Sequence, residues 1–166
     1  MPLSKVVILE GCDGGGKTTL ANYLHQQYNY RIIKTGPPAP NCDVVVTYLD
    51  VLYDALAYPG RTLFDRHYLG EAIYGPLLRG GDRMGVDGMV VIERVIAAHG
   101  AKLIICSPPW EILVKGWSGK DDLLKKETQL RWVSDQYSYH AERLGLTPYD
   151  WTATDAAEGL KETLEI

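Results

Sequence analysis

Cysteine is scarce in this sequence, which has only three among its 166 residues. The number is odd, and Cys12, Cys42 and Cys106 show no C-x-x-C or similar metal-ligand spacing. This pattern argues against both a disulfide framework and a zinc-binding module. We therefore predict that all three are free thiols in a reducing compartment.

The sequence also lacks long apolar runs and an excess of basic residues. The apolar run near the N-terminus covers only residues 6–9, far short of a signal peptide or a membrane span, and no later run is longer. The net charge of −4 argues against a nucleic-acid polymer as a partner, because few cations are available to displace counterions. We expect one cytoplasmic domain over residues 1–166 with no membrane partner.

Short β-branched apolar runs alternate along the chain with longer stretches of helical periodicity. This alternation is typical of an α/β protein whose parallel strands are connected by crossover helices. Asp121-Asp122 and Gly145 are the predicted caps of a long helix. The predicted strands are residues 6–10, 31–34, 62–65, 102–106 and 147–151, and the predicted helices are residues 17–28, 44–57, 69–78, 86–98, 110–114, 123–144 and 156–164.

A glycine-rich segment follows the first predicted strand and opens the first predicted helix. Residues 11–18, GCDGGGKT, match the phosphate-loop pattern G-x-x-x-x-G-K-[ST]. Glycines let backbone N–H groups surround phosphate oxygens, and the helix N-terminus adds positive potential. Lys17 is predicted to reach the β and γ phosphates of a nucleoside triphosphate, and Thr18 to contact Mg²⁺. The predicted phosphate-binding residues are Gly11, Asp13, Gly14, Gly15, Gly16, Lys17, Thr18 and Thr19.

A polar pair, Asp65 and Arg66, ends the third predicted strand and precedes a helix that carries Tyr74. The carboxyl ends of parallel strands face the ligand crevice. Asp65 is therefore a candidate to hold Mg²⁺ through water, and Arg66 to grip an acceptor phosphate through its guanidinium fork. The alternative is an ordinary surface ion pair.

Two blocks of the chain resemble the thymidylate kinase family. Residues 10–19 (EGCDGGGKTT) are similar to that family's phosphate loop, and residues 64–80 (FDRHYLGEAIYGPLLRG) to its D-R-[YH] motif, in the form that small phage-encoded members use. The resemblance implies a three-layer P-loop NTPase fold with a five-stranded parallel sheet and a short lid. It also implies Mg²⁺, ATP as phosphoryl donor, a deoxynucleoside monophosphate such as dTMP as acceptor, and a homodimer.

The resemblance also implies roles for residues around the acceptor. Asp13 would meet the sugar 3′-hydroxyl or the metal, Arg66 would hold the acceptor phosphate, and Tyr74 would lie under the deoxyribose and exclude a 2′-hydroxyl. The candidate catalytic residues are Lys17, Arg66, Asp65 and Asp13.

The region expected near the acceptor base departs from the family. Glu71 stands where a small polar residue is usual, so it either accepts a hydrogen bond from a base N–H group or is a solvated surface glutamate. Arg79 and Arg83 either line the acceptor pocket or are solvated loop arginines. The family's Arg-Glu-Pro stretch is replaced by residues 35–38 (TGPP), and Tyr48 is an aromatic that is either core or base contact. The sequence therefore does not identify which nucleobase the acceptor carries.

The predicted lid, residues 115–126, contains no arginine. Lys115 and Lys120 are its candidate phosphate contacts, and lysine supplies charge without a bidentate fork. Trp117, within the lid, is a candidate for stacking on a purine, whereas Trp151 is assigned to packing.

A missing carboxylate helps to choose the acceptor. A nucleoside kinase needs a base near the 5′-hydroxyl, but no Asp or Glu lies between Asp13 and Asp43. A monophosphate is already ionised near neutral pH and needs only positioning. A monophosphate acceptor is therefore favoured; a deoxynucleoside kinase that uses Asp65 as base, a polynucleotide 5′-kinase and a non-catalytic ATP-binding regulatory module are the alternatives.

Overall fold

The protein is described by a computed structural model that covers residues 3–117 and 123–165. In this part of the chain, no helix reaches the length and apolar character that crossing a bilayer requires. The elements, in chain order, are β1 (Val6–Gly11), α1 (Lys17–Tyr28), β2 (Tyr30–Lys34), α2 (Val44–Ala57), β3 (Arg61–Asp65), α3 (Tyr68–Arg79), α4 (Gly85–Ala98), β4 (Lys102–Cys106), α5 (Trp110–Trp117), α6 (Glu127–Arg143) and α7 (Ala156–Leu164).

The strands form one parallel sheet in the order β2-β3-β1-β4. Strand β1 is central, and Ile8 pairs with Phe64 of β3 on one side and Leu103 of β4 on the other. Every residue of β1 is buried, as expected for a parallel strand covered by helices on both faces. The predicted α/β class is confirmed.

Two hydrophobic cores lie on opposite faces of the sheet, because successive strand residues point in opposite directions. Ile8 packs in the core that α2, α3, α4 and α6 cover, whereas Leu9 packs in the core that α1 and α7 cover. The helix residues of the first core include Leu52, Ile73, Ile92 and Val133, and those of the second include Leu20, Leu24 and Leu160.

The segment predicted as a fifth strand, residues 147–151, makes a single bridge to the sheet. The backbone N–H and carbonyl of Tyr149 bond to the end of β4 and the residue after it, at 2.8 and 2.9 Å. Pro148 has no N–H to donate, and Asp150 Oδ1 accepts from the Thr152 backbone N–H at 2.8 Å, which starts a turn. The sheet in the described residues therefore has four strands.

Helix α6 begins at Glu127 instead of residue 123 as predicted. Leu124 is 1% exposed and anchors the approach to the helix in the core. Gln129 Oε1 accepts the N–H groups of Lys125 at 2.8 Å and Lys126 at 3.1 Å. Such side-chain acceptors satisfy backbone groups that helix termini leave unpaired. The predicted cap at Asp121-Asp122 lies outside the described residues.

Glu10 joins the central strand to the start of α3 and is 0% exposed. Its Oε1 accepts backbone N–H groups from His67 at 2.9 Å, Leu69 at 3.1 Å and Gly70 at 3.4 Å, and its Oε2 accepts the Tyr137 hydroxyl at 3.2 Å. Burial raises the pKa of Glu10, and the His67 N–H and the nearby Arg66 charge oppose that shift. The residue fixes α3 to β1 beside the phosphate loop.

Replacing Glu10 by Ala should destabilise the fold by about 3 kcal/mol, because it leaves several buried donors without an acceptor. Urea unfolding followed by circular dichroism measures this change. Glu142→Ala, at an exposed position of α6, is the control and should change the free energy of unfolding by less than about 0.5 kcal/mol. Equal effects of the two variants would show that Glu10 does not hold α3 in place.

Candidate active site

The phosphate loop connects the end of β1 to the start of α1, as the motif predicts. Gly14 has φ +79°, and a Cβ there would lie 2.5 Å from the Trp117 backbone nitrogen. Gly16 has φ +92°, and a Cβ there would lie 2.6 Å from the Trp151 indole nitrogen. Both positions combine a left-handed backbone with a close neighbour, so both require glycine.

Lys17 is folded into the phosphate loop and is 6% exposed. Its Nζ donates to the carbonyls of Gly11 at 2.9 Å and Cys12 at 2.7 Å. Burial lowers the pKa of Lys17, the Arg66 charge lowers it further, and Asp13 opposes both. Because the ammonium has three donors, one remains available for an anion in the loop.

A cavity of about 590 Å³ lies over the phosphate loop. It brings together most of the predicted donor-side residues, including the metal candidates Thr18 and Asp65. Gly11 is buried at the end of β1 and does not line the cavity. The predicted residues that do line it are Asp13, Gly14, Gly15, Gly16, Lys17, Thr18, Thr19, Asp65 and Arg66.

Two tryptophans also line the cavity over the phosphate loop, which we call the donor cavity. Trp117 ends α5 against Gly14, and its indole Nε1 is buried without a hydrogen-bond partner in the described residues. Trp151 is 47% exposed and lies against Gly16. The sequence predicts a packing role for Trp151, whereas the structure places it in the wall of this cavity. A glycine pattern indicates that some group approaches closely but does not identify it.

Arg66, Asp13 and Tyr74 form one hydrogen-bonded group between the phosphate loop and α3. Arg66 Nη2 forms an ion pair with Asp13 Oδ1, and the Tyr74 hydroxyl donates to Asp13 Oδ2 at 3.0 Å. Arg66 has φ +69°, and its carbonyl accepts the Thr35 hydroxyl at 2.7 Å. Burial lowers the pKa of Arg66, but its interactions with Tyr74, Tyr137 and Asp13 outweigh that and raise it. Arg66 is therefore a permanent cation.

A second, smaller cavity of about 140 Å³ lies over α3, and Arg66 lines both cavities. We call it the acceptor cavity, because its lining includes residues predicted to contact the acceptor, namely Glu71, Tyr74 and Arg79. Tyr48 and the segment after β2 that begins at Thr35 also line it. Tyr48 is 4% exposed, so it serves as core and cavity wall at once.

Glu71 is buried, with a side chain only 2% exposed, so it is not a solvated surface glutamate. Its Oε1 forms ion pairs with Arg79 and, at 3.2 Å, with Arg83. Arg83 also donates to the backbone carbonyls of Pro38, Ala39 and Pro40 at 2.8 to 3.3 Å. Arg83 therefore holds the segment after β2 against the acceptor cavity and is not simply solvated.

The lid residues are divided between α5 and the approach to α6. Lys115 is exposed on α5, and Lys125 and Lys126 are exposed before α6, whereas Lys120 lies outside the described residues. The Arg131 guanidinium carbon lies 3.6 Å from the centre of the Trp110 ring. The structure does not bring Lys115 or Arg131 into the donor cavity.

This arrangement, a phosphate loop between a central parallel strand and α1, gives the chain the α/β fold of the P-loop kinases. It is similar to the YorR protein of Bacillus subtilis, whose structure was solved in complex with phosphorylated GDP. The identity is 19%, with coverage of 96% of this chain and 95% of that one and a TM-score of 0.72.

Two further solved structures share this fold. Deoxyadenosine kinase of M. mycoides with bound dATP is 13% identical over 98% of this chain and 100% of that one, with a TM-score of 0.56. Shikimate kinase of Acinetobacter baumannii in complex with shikimate is 16% identical over 95% and 89%, with a TM-score of 0.55. No protein-family model and no curated protein matches the sequence. The resemblance to thymidylate kinases stays a prediction.

His67 is a buried histidine beside the acceptor cavity, 1% exposed and packed between Tyr48 and Phe64 with ring centres 4.9 Å apart in each case. Neither ring nitrogen has a partner in hydrogen-bond geometry among the described residues. Burial lowers the pKa of His67 to about 3, against a weaker opposing contribution from the Tyr48 backbone. The ring is therefore neutral at physiological pH.

The free energy of unfolding should fall as the pH drops below the unfolded-state pKa of His67, about 6.5. Below that pH, His67 is protonated in the unfolded chain, whereas in the folded chain it is protonated only near pH 3. The His67 contribution between pH 7.5 and 5.5 is a loss of about 1.4 kcal/mol. Urea unfolding at the two pH values measures it, and His67→Leu should remove this part of the loss.

His99→Leu is the matched control, because His99 is exposed at the end of α4. This variant should keep the parent's pH dependence. If His67→Leu and the parent lose the same free energy between the two pH values, the ring is not buried in the neutral form.

Proposed function

We propose that this protein transfers the γ-phosphoryl group of ATP to a deoxynucleoside monophosphate. The observation that carries the proposal is the position of Arg66, which lines both the donor cavity and the acceptor cavity. A phosphoryl group that passes between two nucleotides must cross such a junction, and a fixed cation there stabilises its charge.

The donor side is built for a nucleoside triphosphate. The phosphate loop supplies backbone N–H groups at the start of α1, and Lys17 adds a buried ammonium. Thr18 and Asp65 line the same cavity and offer a hydroxyl and a carboxylate oxygen, which are ligands that Mg²⁺ takes together with water and phosphate. These residues fit the metal, which when bound would neutralise charge on the donor phosphates.

The acceptor side matches a group that is already ionised. The guanidinium fork of Arg66 suits a terminal phosphate, and the ion pair with Asp13 fixes its orientation. A phosphate monoester has a second pKa of about 6, so its oxygen attacks without a general base. Arg66 therefore needs to position the acceptor and neutralise charge, and no proton has to be removed.

The carboxylates near the site support a monophosphate over a nucleoside. Glu10 accepts hydrogen bonds from α3 and Tyr137, and Asp13 is engaged by Arg66 and Tyr74. A nucleoside kinase would have to use Asp65, which lines the donor cavity, or Glu71, which lines the acceptor cavity and is held by Arg79 and Arg83. A deoxynucleoside kinase remains the second candidate, because deoxyadenosine kinase shares the fold; an ATP-binding module without transfer is the third, since the structure brings no lid arginine to the site.

A coupled ADP-release assay should show turnover of at least one deoxynucleoside monophosphate with Mg·ATP. Lys17→Met should lower the rate by roughly 100-fold or more, the cost of removing one preorganised donor. The fold should survive, because the variant replaces a buried charge with an apolar chain of similar length. Lys161→Met, at an exposed position on α7, is the control and should keep the parent rate.

The same assay separates the candidate functions. Turnover of deoxynucleosides but of no monophosphate would establish the nucleoside kinase, and ATP binding without any acceptor-stimulated turnover would establish the non-catalytic module. Either result would contradict the proposal.

Arg66→Lys should raise the KM for the acceptor by about 10-fold or more while the KM for ATP changes less. Lysine keeps the charge but loses the bidentate fork. Steady-state kinetics with each substrate varied in turn measures the difference, and Arg94→Lys, at an exposed site on α4, serves as the control. An equal rise in both KM values would show that Arg66 does not grip the acceptor.

A further inference from the structure

A further cavity, of about 470 Å³, lies at the amino end of the sheet. The donor cavity lies over the carboxyl end of β1, so the length of that strand, roughly 20 Å, separates the two. We call the further cavity the basic cavity, because Lys5, Arg31 and Arg61 line it. None of the described residues that line it is Asp or Glu.

The register of the sheet brings these three cations together. Arg61 begins β3 and pairs with Tyr30, the first residue of β2, so Arg31 follows directly on the neighbouring strand. The Thr62 backbone N–H donates to the Lys5 carbonyl at 2.9 Å, which places Lys5 beside the start of β3. Because parallel strands begin at the same edge of a sheet, the three side chains share one end of the molecule.

Arg31 is oriented by two contacts that leave its charge without a counter-charge. Its Nε donates to Thr62 Oγ1 at 2.8 Å, and its guanidinium carbon lies 3.6 Å from the centre of the Tyr58 ring. Its Nη1 and Nη2 have no hydrogen-bond partner among residues 3–117 and 123–165, and neither is sealed from solvent. The guanidinium is therefore held in place while its bidentate edge is free to meet an oxyanion.

Lys5 and Arg61 contact the two helices that end at this edge. Lys5 Nζ donates to the Leu56 carbonyl in the last turn of α2 at 2.6 Å, and Arg61 Nη1 donates to the Tyr28 carbonyl at the end of α1 at 3.0 Å. A helix C-terminus carries about half a negative charge, so the two helices offset roughly one of the three positive charges. Capping alone therefore leaves an excess of about two positive charges at the basic cavity.

This lack of an acid sets the basic cavity apart from the other cationic places in the described part of the chain. There, Lys5, Arg31 and Arg61 form no ion pair, whereas the following pairs are present: Arg66–Asp13, Arg79–Glu71, Arg83–Glu71, Lys102–Glu165 and Arg143–Glu93. Like charges that converge on one cavity repel each other, and a bound anion removes that repulsion.

The free donors indicate which anion fits. A guanidinium has five N–H groups and an ammonium three, and Arg31, Arg61 and Lys5 each use one of them in the contacts above. A carboxylate has only two oxygens to accept them, whereas a phosphate monoester has three terminal oxygens and a charge of about −1.5 to −2 at pH 7. That charge matches the excess at the basic cavity. The volume lies within the range of small-molecule sites, about 300–1,000 Å³.

We infer that the basic cavity is a second ligand site, which binds the phosphate group of a small molecule through Arg31, Arg61 and Lys5. The site lies at the opposite end of the sheet from the donor cavity, and the inference goes beyond the proposed function without depending on it.

Isothermal titration calorimetry with inorganic pyrophosphate tests the inference. The parent protein should bind it at two sites, because the phosphate loop also accepts phosphates. Lys17→Met should weaken the loop site alone, and Arg31→Gln should weaken the other site alone, by at least 10-fold. Arg94→Gln, which removes one positive charge at an exposed position on α4, is the control and should keep both sites.

Two outcomes of the titration would overturn the inference. One is a single site in the parent protein that Lys17→Met abolishes. The other is a second site that Arg31→Gln does not weaken. Malonate, a small dicarboxylate, should bind the basic cavity at least 10-fold more weakly than pyrophosphate, and equal affinity would overturn the assignment to phosphate.

Backbone NMR of the unaltered protein decides the inference if Arg31→Gln does not fold. Pyrophosphate should shift the amide signals of residues 29–31 and 58–61 in addition to those of residues 11–19. Shifts confined to the phosphate loop would overturn the inference while leaving the kinase proposal standing.

Discussion

The carboxylate of Glu10 is the constraint on which the geometry of the site depends. It lies next to the last residue of β1, and its Oε1 accepts three backbone N–H groups at the start of α3. The phosphate loop begins at the next residue of the chain, and Arg66 directly precedes the segment that Glu10 holds. The spacing between donor and acceptor cavities is therefore fixed by one side chain in the core and not by flexible loops.

Charged side chains lie along the site from the phosphate loop to the acceptor cavity. Lys17 lies in the phosphate loop, Arg66 stands at the junction with Asp13, and Arg79 and Arg83 flank Glu71. Asp13 and Glu71 are each paired with at least one cation, which offsets the cost of burying their charges. Lys17 lines the donor cavity and Arg66 lines both cavities, which suits the two phosphate-bearing ligands of the proposed function in a protein of net charge −4.

Local patterns predicted the parts of the molecule that local physics determines. The β1–loop–α1 unit follows from an apolar run and a glycine pattern, and the end of β3 at Asp65 follows from strand periodicity. Pro148 and the turn at Asp150 stop a fifth strand, although the apolar pattern alone favours one. The approach to α6 depends on where Leu124 is buried, which a helical period cannot reveal.

The acceptor cavity was harder to predict because long-range contacts build it. Arg83 bonds to carbonyls more than 40 positions earlier in the chain and reaches Glu71 on another element. Residues 35–38 contain no arginine. Arg83, in the connection between α3 and α4, places a cation beside this segment. Since that cation also neutralises Glu71, an acid can stay buried in the wall of this cavity. Glu71 and the segment after β2 are thus joined through Arg83.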